Sequence, residues 1–205
     1  MSEAENTTLN AILFAAKNEF LEKGFKSASL RSIVKTAGVT TGAFYGYYKS
    51  KEELFDALVG KQYEKLMTEF IKAQKTFEQL KPESQCGSMG KISGDCMEWM
   101  TDYIYENFDE FKLILCCSEG TKYENLIDSM VEIEVNATHK FAKILEKLGY
   151  PKYDVDPQLE HMLCSGLFSA YFELVIHDMP YEKAKEYVHN LRKFYIAGWQ
   201  KIMGF

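Results

Sequence analysis

Apolar residues recur along this chain at the spacing of amphipathic helices. In the first segment they are three or four positions apart, at Leu9, Ile12, Leu13, Ala16, Phe20 and Leu21. Residues three or four apart share one face of a helix, so this spacing predicts a first helix over 7–23, ended by Gly24. No segment alternates strictly between apolar and polar residues, as a half-buried strand would. The pattern therefore predicts an all-α fold.

Two short helices are predicted directly after the first. Ser29 precedes "LRSIVKTA" and can cap the second helix with its hydroxyl, and Gly38 closes it. Thr40 or Thr41 can cap a third helix that ends near Tyr47. Two short helices joined by the tight turn "AGV" have the form of a helix-turn-helix unit, which the first helix would brace.

The rest of the chain is also predicted to be helical, with one long interruption. Ser50 and Glu53 form a capping box that starts a fourth helix, predicted to run to about residue 77. Residues 80–94 contain a proline and three glycines and are predicted to be a loop. Further helices are predicted near 95–107, 109–117, 121–148, 157–177 and 180–203.

Composition excludes several classes of protein. The 205 residues are 46% hydrophobic and 26% charged, typical of a globular protein. No run approaches the roughly 18–20 apolar residues of a membrane span, and the polar start "MSEAENTTLN" does not resemble a signal peptide, so we expect no membrane partner and a cytoplasmic location. The five cysteines are odd in number and contain no CxxC, which disfavours disulfides and structural zinc.

Basic residues are concentrated in one segment although the net charge is -6. No Asp or Glu lies between residues 23 and 51, where the basic side chains are Lys23, Lys26, Arg31, Lys35, Lys49 and Lys51. This segregation predicts one local patch that attracts nucleic acid on a protein that otherwise repels it.

The third predicted helix has the dimensions and side chains for reading DNA. A helix of six or seven residues is roughly 10 Å long, and the major groove is about 12 Å wide, so the helix fits end-on. Thr40 and Thr41 can offer a hydroxyl or a methyl group to a base edge, and Gly42 allows close approach of the backbone. Tyr45 can meet a base or the sugar-phosphate edge.

Residues 29–55, "SLRSIVKTAGVTTGAFYGYYKSKEELF", resemble the TetR family of bacterial transcriptional regulators in the order and spacing of their motifs. The resemblance covers roughly the first 60 residues. It implies phosphate contacts for Tyr47 and Lys51, and contacts of Ser29 and Arg31 with the opposite backbone. It also implies two domains, a helix-turn-helix domain over 1–50 and an effector-binding and dimerisation domain over 51–205.

Each of these side chains also has a purely structural interpretation. Phe44 points away from Tyr45 and is expected in the core with Tyr48, because aromatic residues commonly pack between helices. Ser29 and Thr40 could be caps alone. The order of the motifs within an acid-free basic segment favours DNA binding.

A single module contacts few base pairs, so a homodimer on a palindromic operator is expected, with half-sites about 34–36 Å apart. The last two helices offer small residues and apolar stripes that could form the interface. An alternative is that they are buried within one subunit. The residues expected at the interface are Leu163, Gly166, Leu167, Ala170, Leu174, Leu191 and Gly198.

The resemblance further implies a small-molecule pocket among the middle helices. Glu173 interrupts an apolar run, and a buried carboxylate there would need a partner such as a cationic effector, although an exposed position is an alternative. The other expected lining residues are Trp99, Tyr103, Cys116, Phe168, Tyr171 and Phe172, and Met100, Phe111 and Tyr123 are further candidates.

Catalytic and metal chemistry have weak support. Residues 186–189 form one E-x-x-H motif, whereas a di-iron site needs two and further carboxylates. His161 and Cys164 could share a metal but stand alone. We therefore expect no enzyme, metal or cofactor, and predict a homodimeric repressor released from DNA by a small molecule. The alternatives are a helical interaction protein without DNA binding and a helical enzyme.

Overall fold

The computed structural model describes residues 3–204, which form nine helices and no strand. The all-α prediction is confirmed. The helices are α1 Glu3–Ser27, α2 Leu30–Thr36, α3 Thr41–Tyr47, α4 Lys51–Glu78, α5 Pro82–Glu106, α6 Phe108–Cys116, α7 Leu126–Lys147, α8 Pro157–Ile176 and α9 Tyr181–Met203.

The chain folds as two compact units. The N-terminal unit contains the residues up to Glu64 together with Asn107–Glu124, and the second contains Lys65–Glu106 and the residues from Asn125 onward. The long helix α4 contributes its first half to one unit and its second half to the other. The predicted functional division at residue 50 stays a prediction, because these units are defined by packing alone.

Three phenylalanine rings form the centre of the N-terminal unit. Phe20 lies 5.1 Å from Phe55 and 5.9 Å from Phe25, centroid to centroid. Gly24 interrupts helix α1 with φ 71 and ψ 163, and the chain resumes helical geometry as far as Ser27. The glycine thus breaks the helix where the sequence predicts, and the break turns Phe25 back into the aromatic core, where it is 5% exposed.

The segment predicted as a loop over 80–94 is helical, which corrects that expectation. Pro82 is the first residue of α5, where its missing amide costs nothing. Gly94 is buried against Arg192 of α9, and a Cβ added there would lie 1.5 Å from a guanidinium nitrogen. A Cβ on Gly90 would lie 3.3 Å from Ile196 of the same helix. These two glycines therefore serve close packing of α5 on α9 rather than a turn.

Helix α7 begins at Leu126, five residues after the predicted start. The preceding residues form turns because Gly120 adopts a φ of 86, in the left-handed region. The Thr121 hydroxyl also donates to the Ser118 carbonyl and accepts from the Tyr123 amide. Local side-chain bonds of this kind compete with helical ones.

Helix α8 is long and apolar enough, by length and composition, to cross a membrane, and it is the one such helix in the described chain. Its Cys164, Phe168 and Tyr171 are buried against other helices of the second unit. Core helices of ordinary proteins have the same composition.

Candidate nucleic-acid interface and effector cavity

The turn between α2 and α3 has a well-defined geometry. Gly38 has φ 67, and its amide donates to the Lys35 carbonyl, while the Val39 amide donates to the Val34 carbonyl. This pair of bonds is a Schellman motif, which ends a helix on a left-handed residue. Thr40 then caps α3, its hydroxyl accepting from the Ala43 amide at 3.1 Å.

Helix α3 has one buried and one exposed side. Phe44 is 1% exposed and Tyr48 9%, so both belong to the core as expected. Tyr45 is 55% exposed, although its ring touches that of Phe44, with centroids 5.3 Å apart. Thr41 and Gly42 are exposed at the start of the helix, and Tyr47 is half-buried. The residues proposed to read DNA thus share the accessible side of a firmly anchored helix.

Glu19 of α1 holds the start of α2 in place. Its carboxylate accepts from the Ser29 amide at 3.1 Å, the Ser32 hydroxyl at 2.8 Å and the Lys23 ammonium at 2.9 Å. Burial would raise its pKa, but these hydrogen bonds outweigh burial and leave the pKa lowered. Glu19 is 7% exposed and fully engaged, so it is a structural clamp between the bracing helix and the helix-turn-helix.

Lys51 is placed differently from the phosphate contact that the family resemblance implies. Its ammonium donates to the carbonyls of Phe25, Lys26 and Ala28 at 2.6, 3.2 and 3.1 Å, and lies 4.5 Å from the Phe25 ring centre. An ammonium group has three donors, so all three are used. A cation at a helix C-terminus satisfies carbonyls that the helix leaves unpaired. Lys51 therefore fastens the end of α1 to the start of α4.

Three of the six basic side chains of the predicted patch form intramolecular contacts, Lys51 with backbone carbonyls and two others in ion pairs with carboxylates. Lys23 is bound to Glu19, and Lys26 pairs with Glu119 at 2.5 Å. The remaining three cations, Arg31, Lys35 and Lys49, are exposed and form no ion pair with the described residues. The patch available to a polyanion is thus smaller than the sequence suggests, and it is formed by the side chains around α2 and α3.

The second unit contains a cavity of about 130 Å³. Four of its helices supply aromatic and methionine side chains, and α7 adds Phe141, so the walls are mostly apolar. The aromatic lining residues are Phe70, Phe77, Phe141, Phe168, Tyr171, Tyr195 and Trp199, and the methionines are Met89, Met97, Met100 and Met203.

Two charged side chains line this cavity. Glu134 of α7 accepts one hydrogen bond, from the Gln74 amide at 2.6 Å, and burial raises its pKa. Arg192 of α9 donates to Glu98 at 2.8 Å and to the Gly90 carbonyl at 3.3 Å. The guanidinium charge is thus paired, whereas Glu134 forms no ion pair with any residue between 3 and 204.

Only two of the seven residues expected to bind an effector, Phe168 and Tyr171, line the cavity. Phe172 is fully buried beside Tyr171, and Trp99 and Tyr103 stack on each other outside the cavity at 5.1 Å.

Two further expected effector residues, Glu173 and Cys116, do not line the cavity. Glu173 has a 44% exposed side chain paired with His177 at 2.6 Å, because it lies on the outer side of α8. Cys116 is exposed in the N-terminal unit, which also holds the buried Phe111 and Tyr123. Met100, by contrast, does line the cavity.

Several residues expected at the dimer interface are used within the subunit. Leu174 is fully buried, and Leu167 lines the cavity. The Ala170 carbonyl accepts from Tyr187 of α9, and a Cβ on Gly166 would meet the Tyr195 hydroxyl at 2.9 Å. These small residues serve α8–α9 packing within one chain.

The other expected interface residues are accessible. Leu163 and Leu191 are half-buried, and Gly198 is exposed with open space around it. Helices α8 and α9 also expose large apolar side chains that the sequence reading did not select: Leu159, Met162, Phe194 and Ile202.

No group of three potential metal ligands lies together in the described part of the chain. Glu186, His189 and His161 are exposed, while Cys164 is buried. Burial, followed by the nearby carboxylates of Glu134 and Glu160, raises the pKa of the Cys164 thiol to about 12, which disfavours the thiolate that binds metals.

Two important residues, Glu19 and Glu134, were missed by the sequence analysis. Glu19 falls on the same helical face as Ala15, Ala16 and Phe20. Glu134 falls on the same helical face as Met130, Ala137 and Phe141 of α7. A carboxylate at a position where an apolar stripe requires a hydrophobic residue was the available signal in both cases.

Helices α2 and α3 and the turn between them form a helix-turn-helix unit in which α3 has one exposed side. Residues 12–58 match the family model of bacterial regulatory proteins of the tetR family. Over these residues the chain is similar to the N-terminal module of that family.

Curated relatives share the same segment. The transcriptional repressor BepR of Brucella suis is 41% identical over 54 residues, which are 26% of each chain. The regulator UidR of Escherichia coli K12 is 34% identical over 70 residues, 34% of this chain and 36% of the relative. The chain thus matches about a quarter to a third of the length of these relatives.

Solved structures extend the likeness to the whole fold. A TetR-family regulator from Streptomyces coelicolor A3 aligns with a TM-score of 0.56 at 17% identity, covering 91% of this chain and 90% of that one. A gamma-butyrolactone receptor aligns with a TM-score of 0.55 at 15% identity, covering 98% of both chains. At these identities the likeness concerns the fold alone.

Proposed function

We propose that this protein is a sequence-specific DNA-binding regulator that represses transcription and is released from its operator by a small molecule. The observation that carries the proposal is helix α3, which is anchored by buried Phe44 and presents Thr41, Gly42 and Tyr45 to solvent. Thr40 caps the helix and stands beside them. These are the side chains that can contact base edges in the major groove.

We propose phosphate contacts for exposed basic side chains that form no ion pair with the described residues. Arg31 lies in the first turn of α2 and Lys49 follows α3, and both are exposed without an ion pair among the described residues. Ser29, at the start of α2, and the half-buried Tyr47 are neutral candidates for the same backbone contacts. Such contacts fix the position of a protein on DNA without reading its sequence.

The test is selection of binding sites from random duplex DNA at two salt concentrations. We expect enrichment of a palindrome, and a folded protein that enriches no sequence would contradict the proposal. Thr41→Ala should cost about 1–3 kcal/mol on the selected site and much less on random DNA. Thr68→Ala, an exposed threonine of α4 in the second unit, is the matched control.

A homodimer is part of this proposal. Family members bind DNA as dimers, and this chain exposes Met162 of α8 and Phe194 of α9, at 68% and 73%. Large exposed apolar side chains of this kind mark interaction surfaces. We expect a dimeric mass by sedimentation at micromolar concentration and a monomeric mass for Phe194→Glu. Lys183→Glu, exposed near the start of α9, should remain dimeric. A monomeric wild-type protein would remove the dimer from the proposal.

The effector is proposed to bind in the cavity of the second unit and to act by population shift. A ligand that prefers a conformation with displaced recognition helices lowers the population that binds DNA. The measurement is DNA affinity with and without a ligand bound to the cavity. If no ligand bound to the cavity changes DNA affinity, the protein would be a DNA-binding regulator without control by a small molecule. We expect the protein to act in the cytoplasm, where DNA is accessible.

A further inference from the structure

Glu134 lacks a counter-ion in an apolar cavity. Its carboxylate receives one hydrogen bond, from the neutral amide of Gln74. Neither the aromatic nor the methionine side chains around it can supply a positive charge. Glu134 is half-buried, and an ionised carboxylate partly removed from water is costly unless it is paired, so binding of a partner with opposite charge would be favourable.

Neither the Arg192 guanidinium nor the nearby cysteine thiols supply this positive partner. The Arg192 guanidinium lines the same cavity, but its charge is paired with Glu98 and fixed by the Gly90 carbonyl. The Cys96 and Cys164 thiols lie within electrostatic range of the Glu134 carboxylate. Burial is the largest cause of the raised pKa of each thiol, and the charge of Glu134 is the next. They remain neutral, so the unpaired charge in the cavity is negative.

The aromatic and methionine walls of the cavity also suit the apolar part of an organic cation. Aromatic faces attract ammonium groups, which adds to the attraction of the carboxylate. The volume is about 130 Å³, and an engineered apolar cavity of about 150 Å³ binds benzene. The cavity therefore admits a body of about one ring, and flexible methionines such as Met97 and Met100 can adapt to its shape.

We propose that the cavity binds a small organic cation, an ammonium group on an apolar body of about one ring, with Glu134 as its counter-ion. The role of such a cation as effector rests on the proposed function, but its binding does not. Glu134 of α7, whose side chain lines the cavity, thus takes the role of counter-ion that the sequence suggested for Glu173.

The chain offers its own reporter for this binding. It contains two tryptophans, of which Trp199 lines the cavity and Trp99 does not. In a Trp99→Phe background, the fluorescence of Trp199 is titrated with 2-phenylethylammonium, its neutral analogue 2-phenylethanol and the anion phenylacetate. We expect saturable binding of the ammonium ion at least about tenfold tighter than binding of the alcohol, a difference of about 1.4 kcal/mol.

Variants of α7 assign the effect to one side chain. Glu134→Gln keeps the shape of the side chain and removes its charge, so it should weaken ammonium binding at least about tenfold and change alcohol binding less than about twofold. Glu132→Gln, exposed two residues earlier on the same helix, should change neither. If Glu134→Gln does not fold, the comparison of ammonium with alcohol on the Trp99→Phe protein decides the same question.

Three outcomes would overturn the inference. These are an absence of saturable ammonium binding, equal affinity for ammonium and alcohol, and tighter binding of phenylacetate, which would assign the cavity to an anion through Arg192. No DNA is present in this titration, so its failure is separate from failure of the site selection. Ammonium binding that leaves affinity for the selected duplex unchanged would keep the cation site and remove its role as effector.

Discussion

Two carboxylates of this protein, the buried Glu19 and the half-buried Glu134, are in opposite electrostatic situations. Glu19 in the N-terminal unit accepts three hydrogen bonds, one of them from Lys23, and its pKa is lowered in spite of burial. Glu134 in the second unit accepts one bond from a neutral amide, and burial raises its pKa. The same functional group is a completed structural contact in one unit and an unpaired charge in the other.

This difference separates the ways in which the two units can bind a partner. In the N-terminal unit, Glu19 and Lys51 are satisfied internally, and what remains for a ligand is the exposed surface around α3. In the second unit, the carboxylate of Glu134, which lacks a counter-ion, lines a mostly apolar cavity. A rigid surface suits DNA, whose shape is given, and an incomplete interior suits a small molecule that completes it.

The largest expected effect is the loss of the Glu19 clamp. Glu19→Gln removes the charge that binds Lys23 and weakens the bonds to Ser29 and Ser32, so unfolding free energy should fall by about 3 kcal/mol at pH 7. The measurement is urea denaturation. Glu22→Gln, exposed on the same helix, should change stability by less than about 0.5 kcal/mol.

The penalty should depend on pH with a defined sign. A lowered folded-state pKa stabilises the protein above the unfolded pKa, about 4.3 for Glu, and the contribution is lost as pH falls through the folded value. The difference between wild type and Glu19→Gln should therefore shrink below about pH 4. A difference that stays constant with pH would show that the charge of Glu19 does not contribute.

A second prediction concerns Lys51 and its neighbour Lys49. Lys51→Met leaves three carbonyls at the end of α1 without their cation and should cost about 2 kcal/mol of stability. Lys49→Met should cost less than about 0.5 kcal/mol, because the Lys49 side chain is exposed. The salt dependence of DNA binding should become shallower by about 0.9 for Lys49→Met and stay unchanged for Lys51→Met. The reverse assignment of slopes would restore Lys51 as a phosphate contact.

The smallest expected effect is a gain at Glu134. The raised folded-state pKa means that the native protein holds its proton more tightly than the unfolded chain, so stability falls as pH rises above about 4.3. Glu134→Gln should raise the melting temperature at pH 7, and the gain should vanish below about pH 4. Cys96 and Cys164 stay neutral in this window, and Arg192 stays paired with Glu98. A lower melting temperature for the variant at pH 7 would refute the contrast with Glu19.

The sequence predicts the helix-turn-helix well because its signals are local. Ser29 and Thr40 act as caps and Gly38 ends α2 through contacts with residues at most five positions away. The predicted loop over 80–94 was wrong because the reason for Gly94 is a guanidinium nearly a hundred positions further along the chain. Glycine alone does not say whether a chain turns or another side chain approaches.

The candidate sites follow the same rule. The exposed side of α3 could be read from helical periodicity, with Phe44 inward and Tyr45 outward. Periodicity could not show whether the Lys51 ammonium is free or hydrogen-bonded, because this depends on the position of the end of α1 in the folded protein. The pairing of Arg192 with Glu98 and the isolation of Glu134 are likewise properties of the folded second unit.

The packing of Gly94 on Arg192 has a consequence for comparing relatives. A methyl group at position 94 would displace the guanidinium and break its bonds to Glu98 and Gly90. Arg192 would then approach the cavity with its charge unpaired, or be replaced by a smaller residue. Substitutions at positions 94 and 192 should therefore covary among homologous chains, and the pair glycine and arginine should mark those that share this ligand preference.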